Sequence, residues 1–346
     1  MQLFVNTSTD PALNLAVEEL LASSIDSEVC MLWRNAPAII VGCNQNTEAE
    51  INADFVHKNN ISVVRRITGG GAVYHDLGNI NYTIVANDRQ LEPEAFARNA
   101  EVILQTLRSF GVDAQFSGRN DIIADGRKIS GSAKTVLTRR TLFHGTLLFE
   151  TDLSILEKAL NVDEEKILSK GIKSVRSRVA NIREFLPDWT TDDFLSQLQH
   201  SLLKQFNQEQ VLNIPEKLLT EANELADSKY RTWEWNFGSR HKYSYNYGKR
   251  FACGTVRVSF DIENDKITGL LFHGDFFGKR SVTELAEKLC GLPPPFTPAT
   301  AVFPADFSFP FHRVTSRSPS VATAPRTISK SVMTVMKPDS SSRLKP

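Results

Sequence analysis

Residues 64–79 of the chain read VRRITGGGAVYHDLGN, a glycine-rich segment between two apolar runs of strand character. The three consecutive glycines, Gly69 to Gly71, permit a backbone path that side chains would forbid, and their N–H groups can converge on an anion. Arg65 and Arg66 precede them and carry fixed, delocalised charge that suits a phosphate. The segment lacks both the P-loop sequence and the GxGxxG spacing. From these residues alone, a phosphate-binding loop and a glycine-rich hairpin with solvated arginines are equally open interpretations.

A second polar segment, residues 118–133, reads GRND and then, after an Asp-Gly turn signal, GRKISGSA. The turn signal predicts a β-hairpin. Because side chains alternate along a strand, we expect Lys128 to share a face with Ser130 and to point away from Arg127. One of the two charges can then face a cleft while the other is solvated, although both can also be ordinary surface charges.

The runs around these segments indicate the fold class. Segments that suit strands are VCMLWRN (29–35), AIIVGCNQN (38–46), ISVVRRI (61–67), INYTIVA (80–86) and TLFHGTLLFETD (141–152). Segments that suit helices are NLAVEELLASS (14–24) after Asp10-Pro11, FARNAEVILQTLRSFG (96–111) and TTDDFLSQLQHSLLKQF (190–206). Strands cluster with short connections and do not alternate regularly with helices, so we predict an α+β fold.

Composition and charge exclude several classes of protein. With 40 basic and 40 acidic residues the formal charge is zero, which argues against a chain that wraps nucleic acid or coats an anionic membrane. No apolar run approaches the roughly 18 to 20 residues that span a bilayer, and no basic leader precedes an apolar core at the N-terminus. Cys30, Cys43, Cys253 and Cys290 have no CxxC spacing and indicate reduced thiols. We expect a cytoplasmic protein without nucleic-acid or membrane partners.

The C-terminal part of the chain has a different texture. Residues 248–292 contain TVRVSFDI and KITGLLFHG around an Asn-Asp turn, followed by SVTELAEKLCG, which predicts a hairpin and a short helix. We therefore predict a catalytic domain at 1–240 and a small α+β domain at 248–292. Residues 293–346 hold ten of the 15 prolines and no apolar period, so we predict a disordered basic Pro/Ser-rich tail. A tail that binds a partner is the alternative.

The motifs in combination resemble the lipoate–protein ligases. They are RRxxGGGxVxHDxGNxN, GRND and KISGSA, joined in the family's order by NLAVEE, LWRN, VGxxQN, HGTLL, SVRSRVxN and WEWNFG. The resemblance covers roughly the first 290 residues. It implies a biotin/lipoate ligase-like catalytic domain, with mixed, largely antiparallel sheets flanked by helices, and a small C-terminal domain. The family continues after LAEKLCG with helical sequence, so the second domain looks incomplete here and weaker adenylate formation is implied.

The activity implied by the resemblance is a two-step acyl transfer. The carboxylate of lipoate attacks the α-phosphate of ATP, giving lipoyl-adenylate and pyrophosphate. The lysine of a lipoyl domain then displaces AMP; acceptors of this kind are 2-oxoacid dehydrogenase acyltransferase subunits and the glycine cleavage H protein. The implied requirements are ATP with Mg²⁺ and no tightly bound cofactor. No covalent enzyme nucleophile is needed, so positioning and electrostatic stabilisation should dominate catalysis.

The resemblance also implies roles for single residues. Lys128 is the catalytic lysine, whose ammonium bridges the carboxylate and the α-phosphate. His75 either deprotonates the acceptor lysine or orients a substrate by a hydrogen bond. The basic loop 173–181 lies near the adenylate or the acceptor domain. The implied ATP-binding residues are Arg66, Gly71, Ala72, Val73, Tyr74 and Lys128, the lipoate-binding residues are Arg65, Gly70, His75, Lys128 and His144, and the magnesium-binding residues are Asn79, Asn120 and Asp121.

Three other functions compete with the ligase hypothesis. An acyl-carrier-dependent octanoyl- or lipoyltransferase needs an activated cysteine beside a base, and only Cys43 lies near the glycines. A transferase that uses only preformed lipoyl-adenylate would fit an incomplete second domain. A non-catalytic acyl-binding module would not need Arg66, Lys128 and Asp121, all of which the chain has.

Deleting residues 293–346 is expected to leave both half-reactions nearly unchanged, because a proline-rich segment without apolar period cannot bury enough surface to offset the entropy of ordering it. The rates to compare, with and without the tail, are adenylate formation from ATP and transfer from supplied lipoyl-adenylate. Slower adenylate formation after the deletion would show that the tail is structured and functional.

Overall fold

The computed structural model describes residues 1–293 except 91, 93, 119, 138, 162–177, 239–242, 252–253, 265 and 277–281. The chain divides into two compact units, Met1–Ser239 and Arg240–Pro346. Of the predicted tail only residue 293 is described, and most of the basic loop predicted at 173–181 lies outside the described residues.

The described part of the first unit has ten strands and eight helices. Strands β1 to β10 are Gln2–Asn6, Val29–Trp33, Ala38–Val41, Ser62–Arg65, Val73–His75, Asn79–Ala86, Ala114–Ser117, Asp121–Ala124, Arg127–Leu137 and Arg140–Leu148. Helices α1 to α8 are Pro11–Ser24, Thr47–Glu50, Ala53–Lys58, Ala95–Ser109, Leu153–Ala159, Thr191–Phe206, Glu216–Leu225 and Trp233–Asn236. A 3₁₀ turn at Ile182–Glu184 precedes α6, and a π turn at Ala226–Tyr230 extends α7.

Two sheets form the first unit. The larger sheet has the strand order β1-β2-β6-β10-β9-β8-β7, in which only β1 and β2 are parallel. The smaller sheet has the order β4-β3-β5, with β3 parallel to β4 and antiparallel to β5. This architecture confirms the predicted α+β class, with mixed and largely antiparallel sheets.

Helix α1 covers one face of the larger sheet. Asp10 caps it by accepting hydrogen bonds from the N–H groups of its first turn, and Pro11 occupies the first helical position, as predicted. Its apolar stripe enters a buried cluster with residues of β2, β6 and β10. On the opposite face, Phe96 of α4 packs edge-on against Phe143 of β10, with ring centroids 5.6 Å apart. The strand alternation of β10 therefore separates two environments: Phe143 faces α4, and His144 faces α1.

The second unit, as far as it is described, is a three-stranded antiparallel sheet with one helix. Its strands are β11 (Tyr245–Phe251), β12 (Gly254–Glu263) and β13 (Lys266–Gly274), and its helix is α9 (Val282–Leu289). The helix packs on one sheet face, where Val258, Phe260, Phe272 and Leu285 are buried. Strand β11 begins before the domain boundary predicted at 248.

Several strands carry too little pattern to be predicted from sequence. Strand β5 has only three residues, and the side chains of β11 are exposed or only partly buried, so neither shows the apolar alternation of a half-buried strand.

The predicted hairpin is confirmed: β8 and β9 are joined at Asp125 and Gly126, which have φ values of 50° and 69°. Within the described ranges, no helix is both long and apolar enough to cross a membrane.

Close packing in the larger sheet requires glycine at position 145. Gly145 pairs with Tyr82, and a Cβ atom added to Gly145 would lie 2.4 Å from the Tyr82 hydroxyl oxygen. We expect Gly145→Ala to lower the free energy of unfolding by about 1–3 kcal/mol through overpacking. In a Tyr82→Ala background the same change should cost much less, because the ring that it clashes with is absent. Urea unfolding of the wild type, the two single variants and the double variant measures the coupling between positions 82 and 145. An equal loss of unfolding free energy in both backgrounds would show that Gly145 is not required for packing against Tyr82.

Candidate active site

The side chain of Arg66 supports the glycine loop, defined as residues 66–72 between β4 and β5. Its Nη2 donates to the carbonyl oxygens of Gly69 and Gly71, each at 2.8 Å, and its Nη1 donates to the Ile40 carbonyl at 2.9 Å. Its Nε donates to the Thr68 hydroxyl at 2.8 Å. Burial lowers the pKa of Arg66 to about 10, so the guanidinium is charged at neutral pH. Because Arg66 binds carbonyl oxygens, the N–H groups of the loop are left for an anion.

The glycines of this loop meet different environments. Gly70 has a φ of 94°, which a side chain would strain. Its carbonyl lies against the end of β3, where a Cβ atom on Gly42 would be 2.1 Å from the Gly70 oxygen. A Cβ atom on Gly71 would meet nothing within 4 Å, so this position faces open space. The open side of the loop at Gly71 is where a ligand can approach.

The other positions implied to bind ATP are partly core residues. The ring of Tyr74 is buried in an apolar cluster with Ile39 and Val41, and Ala72 packs against the same cluster. Val73 packs against the main core. Because the ring of Tyr74 is buried, the part of this residue that suits a contact with a nucleotide is its backbone.

Arg65, which the resemblance implied to bind lipoate, makes several hydrogen bonds within the protein. Its guanidinium donates to the backbone carbonyls of Gly42, Gln45 and Trp235 at 2.7–2.9 Å, and to the Thr47 hydroxyl at 2.7 Å. Further bonds to the carbonyls of Cys43 and Asn236 complete the set. With its donors engaged by protein oxygens, Arg65 has none left for a substrate carboxylate. Its role is to fasten β4 to α8 and to the loop after β3.

A buried chain of hydrogen bonds links α1 to the glycine loop. The Glu18 carboxylate, 1% exposed, accepts from Nδ1 of His144 at 2.8 Å and from the Thr83 hydroxyl at 2.6 Å. Nε2 of His144 lies 2.8 Å from the hydroxyl of Thr68, which also accepts from Arg66. Both ring nitrogens of His144 thus lie within hydrogen-bond distance of protein oxygens, and its contact with lipoate stays a prediction.

His75 is buried and neutral. Its Nδ1 lies 3.1 Å from Nδ2 of Asn35, and its ring packs edge-on against Trp33 with centroids 6.2 Å apart. Burial, together with the positive charge of Arg66 and the nearby His144, lowers the pKa of His75 to about 3. Nε2 of His75 is buried without a hydrogen-bond partner among the described residues.

A β-bulge in β9 determines where the side chain of Lys128 lies, and this position differs from the one that strict strand alternation predicts. The pairing of β8 with β9 shifts register, so that Ile122 pairs with Ser130 and the next residue pairs with Lys128. A Cβ atom on Gly131 would lie 2.6 Å from Lys128 Nζ, so Lys128 lies over Gly131 rather than sharing a face with Ser130. Nζ forms an ion pair with the Asp121 carboxylate at 2.8 Å, and both side chains are about one-third exposed.

The end of the predicted basic loop, at residues 178–180, pairs with the backbone of Lys128. The Lys128 N–H donates to the Arg178 carbonyl at 2.7 Å, and the Ala180 N–H donates to the Lys128 carbonyl at 2.9 Å. This pairing is a parallel bridge between Lys128 and Val179. The end of the predicted loop is therefore attached to the strand of the candidate catalytic lysine.

The residues predicted to bind magnesium, Asn79, Asn120 and Asp121, lie on β6 and at the start of β8. Asn81 and Asp121 lie in register across β6, β10, β9 and β8, three strand spacings or about 14 Å apart, and Asn79 is two residues further along β6. With Mg²⁺–oxygen distances of about 2.1 Å, one ion cannot bind the side chains of both Asn79 and Asp121. Nδ2 of Asn120 donates to the Ser132 carbonyl at 2.6 Å. Among the described residues, no three His, Cys, Asp or Glu side chains are grouped as metal ligands.

The described cysteines do not have the environment of an activated nucleophile. Burial raises the pKa of the Cys43 thiol, although Arg66 and Arg65 oppose this effect. Burial raises the pKa of Cys30 to about 12. Cys290 is exposed, and Cys253 lies outside the described residues.

Sequence reasoning missed the residues that orient the two histidines. Glu18, Asn14 and Asn35 are buried and hydrogen-bonded, and none was assigned a role. The sequence contains one indication of these residues. In the NLAVEE motif, Asn14 and Glu18 are four residues apart, so a polar and an acidic side chain lie on the same helix face.

Comparison with known proteins identifies the family. The model of the lipoyl protein ligase A/B catalytic domain matches residues 10–203, and that of the bacterial lipoate protein ligase C-terminus matches residues 240–296. The chain is 43% identical to lipoate-protein ligase LplJ of Bacillus subtilis over 82% of this chain and 87% of that protein. It is 42% identical to lipoate–protein ligase 1 of Staphylococcus aureus over 83% of this chain and 88% of that protein.

Solved structures agree with the sequence comparison. P. falciparum LipL1 in complex with lipoate has a TM-score of 0.70 and 27% identity, covering 84% of this chain and 88% of that chain. A lipoate-protein ligase A bound with ATP has a TM-score of 0.61 and 31% identity, covering 68% and 98%. The bipartite ligase of Thermoplasma acidophilum, described with its E2 lipoyl domain, has a TM-score of 0.62 and 33% identity, covering 70% and 98%. By its sequence, fold and matched domains, the chain belongs to the lipoate–protein ligase family.

Proposed function

We propose that this ligase activates lipoate with ATP to lipoyl-adenylate and transfers the lipoyl group to the lysine of a lipoyl domain. The observation that carries the proposal is the placement of Lys128 on the sheet face that the glycine loop reaches. Lys128 lies over Gly131, whose N–H donates to the hydroxyl of Thr146 at 3.2 Å. Thr146 and His144 are two residues apart on β10 and point to the same face, and His144 contacts Thr68 of the loop.

This arrangement suits the joining of two anions. The carboxylate of lipoate and the α-phosphate of ATP repel one another, and the ammonium of Lys128 neutralises charge as they approach. Asp121, 2.8 Å from Nζ, directs the ammonium in the free enzyme. Loop N–H groups and one fixed cation act by electrostatic stabilisation and positioning, which is sufficient for transfer through an adenylate.

Mg²⁺ enters this reaction with ATP. Magnesium bound with nucleotides keeps waters and takes one or two carboxylates besides the phosphates. Asp121 is the carboxylate beside Lys128, so it is the residue that suits such an ion, whereas Asn79 lies too far away to share it.

The relatives support the substrates of this proposal. Related structures contain lipoate or ATP, and one relative is described with its E2 lipoyl domain, which supports a lipoyl domain as the acceptor. We place the reaction in the cytoplasm, in keeping with free thiols at Cys30 and Cys43.

Lys128→Ala is expected to lower the rate of lipoyl transfer from ATP and lipoate by more than about tenfold, equivalent to roughly 1.4 kcal/mol of barrier. The fold should persist, because the Lys128 side chain is about one-third exposed and its backbone bonds to Arg178 and Ala180 remain. Lys217→Ala is the matched control, since that side chain is 90% exposed on α7. Circular dichroism and a gel-shift assay of acceptor lipoylation measure both effects. Retention of more than a tenth of the wild-type rate by folded Lys128→Ala protein would remove Lys128 from the catalytic role.

Cys43→Ser is expected to cost less than about tenfold in lipoyl transfer, because an adenylate mechanism makes no thioester. Burial raises the pKa of Cys43, which also disfavours the thiolate that an acyltransferase would need. Mass spectrometry of enzyme quenched during turnover tests for acyl-cysteine. A thioester that disappears in Cys43→Ser would replace the ligase mechanism with the octanoyltransferase one.

A further inference from the structure

The β-bulge in β9 decides which face of the larger sheet carries Lys128. Ile122 pairs with Ser130, but the next residue, Ile123, pairs with Lys128, so Ile129 is the extra residue of β9. Because side chains alternate along both strands, this extra residue moves Lys128 to the face opposite that of Ser130. The position of the ammonium therefore depends on whatever holds the backbone of β9 in its bulged form.

Beside the bulge, the backbone of Lys128 is held by residues from a distant part of the chain. The pairing of β9 with β10 ends where Ser132 lies opposite Gly145. Further along β9, the Lys128 N–H donates to the Arg178 carbonyl at 2.7 Å, and the Lys128 carbonyl accepts from the Ala180 N–H at 2.9 Å. Both backbone polar groups of Lys128 thus bond to the same short segment.

The continuation of that segment also binds the neighbour of Lys128. Oε2 of Glu184 accepts from Nη1 of Arg127 at 2.7 Å, and Oε1 accepts from the Asn181 N–H at 3.2 Å. The side chains of Arg127 and Glu184 are 31% and 47% exposed, so their ion pair contributes little stability by itself. Together with the two backbone bonds, it means that residues 178–184 contact two consecutive residues of β9 at three points.

Asn181 attaches residues 178–184 to the chain that follows β10. Its Oδ1 accepts from the Thr151 N–H at 3.1 Å, and its Nδ2 donates to the Thr151 carbonyl at 3.0 Å. The Arg183 N–H donates to the Phe149 carbonyl at 3.0 Å. An amide side chain has both a donor and an acceptor, so it can satisfy both backbone groups of Thr151, whereas a carboxylate can only accept.

We propose that residues 178–184 hold the bulge that positions the Lys128 ammonium, and that Asn181 is the positioning residue at their attachment. This inference rests on the proposed ligase function, in which Lys128 neutralises two anions as they approach. While the segment is attached, Nζ of Lys128 lies over Gly131 and 2.8 Å from the Asp121 carboxylate. When the attachment is weakened, the backbone of Lys128 loses its support, and a small displacement of a charged group is costly in catalysis.

Amide hydrogen exchange of the full chain measures the attachment directly. Asn181→Asp keeps the acceptor for the Thr151 N–H and loses the donor to the Thr151 carbonyl. We expect the N–H groups of Lys128 and Ala180 to exchange at least about tenfold faster in this variant, with unchanged exchange in β10. Asn161→Asp is the matched control, because its Nδ2 also donates to a backbone carbonyl, that of Ile51, at 2.8 Å. Unchanged exchange at Lys128 and Ala180 in Asn181→Asp would refute the attachment.

Kinetics separate a positioning role from a structural one. Asn181→Asp is expected to lower kcat for lipoate-dependent pyrophosphate release at least about fivefold, with KM for ATP within about twofold, because the glycine loop is untouched. In a Lys128→Ala background the same change should have no further effect, since Asn181 acts through Lys128. Glu184→Gln, which removes only the exposed ion pair with Arg127, should lower kcat by less than Asn181→Asp.

Two results would overturn the positioning role. One is faster exchange at Lys128 and Ala180 in Asn181→Asp without a loss of kcat. The other is an equal loss of rate in the wild-type and Lys128→Ala backgrounds, which would indicate a general structural defect. The proposed ligase function is tested separately, because wild-type protein that releases no pyrophosphate with ATP and lipoate would refute that function while the exchange experiment still reports on the attachment.

Discussion

Glu18 and Arg66 are opposite charges buried in the first unit, joined through His144 and Thr68, and the glycine loop depends on this connection. Burial lowers the pKa of Arg66, whereas the charge of Glu18 helps to keep the guanidinium protonated. Removing one member would leave the other charge buried with less electrostatic compensation, which is destabilising. Hydrogen bonds therefore connect helix α1, strand β10 and the glycine loop.

The larger sheet carries different side chains on its two faces. One face carries aromatic packing beneath α4, and the other carries His144, Thr83 and Asn81, which face α1 and the glycine loop. The bulge in β9 moves Lys128 from the position that strict alternation would give it to a place over Gly131. A single irregular residue thereby adds a cation to the polar face, and the absence of a side chain at Gly131 leaves room for it.

The sequence predicted the fold class correctly, and it singled out Lys128, whose catalytic role stays a prediction. It did not predict which contacts each of the polar residues makes. Capping at Asp10, the turn at Asp125 and Gly126, and the apolar runs are local signals, so they could be interpreted without tertiary information. Arg65 and Arg66 are adjacent and chemically identical, and only the structure shows that Arg65 fastens α8 while Arg66 supports the loop. The bulge at Lys128 breaks the regular alternation of its hairpin, and the contact between Asn35 and His75 joins residues 40 positions apart, so neither follows from a local pattern.

An adenylate mechanism requires this chain to activate lipoate before any acceptor is present. The most direct measurement is pyrophosphate release by the full chain incubated with ATP, Mg²⁺ and lipoate in the absence of a lipoyl domain, followed by addition of the domain. We expect pyrophosphate release that depends on lipoate in the first stage, and release of AMP with lipoylation of the domain in the second. No pyrophosphate without the acceptor, together with transfer from supplied lipoyl-adenylate, would exclude activation by this chain and identify it as a transferase.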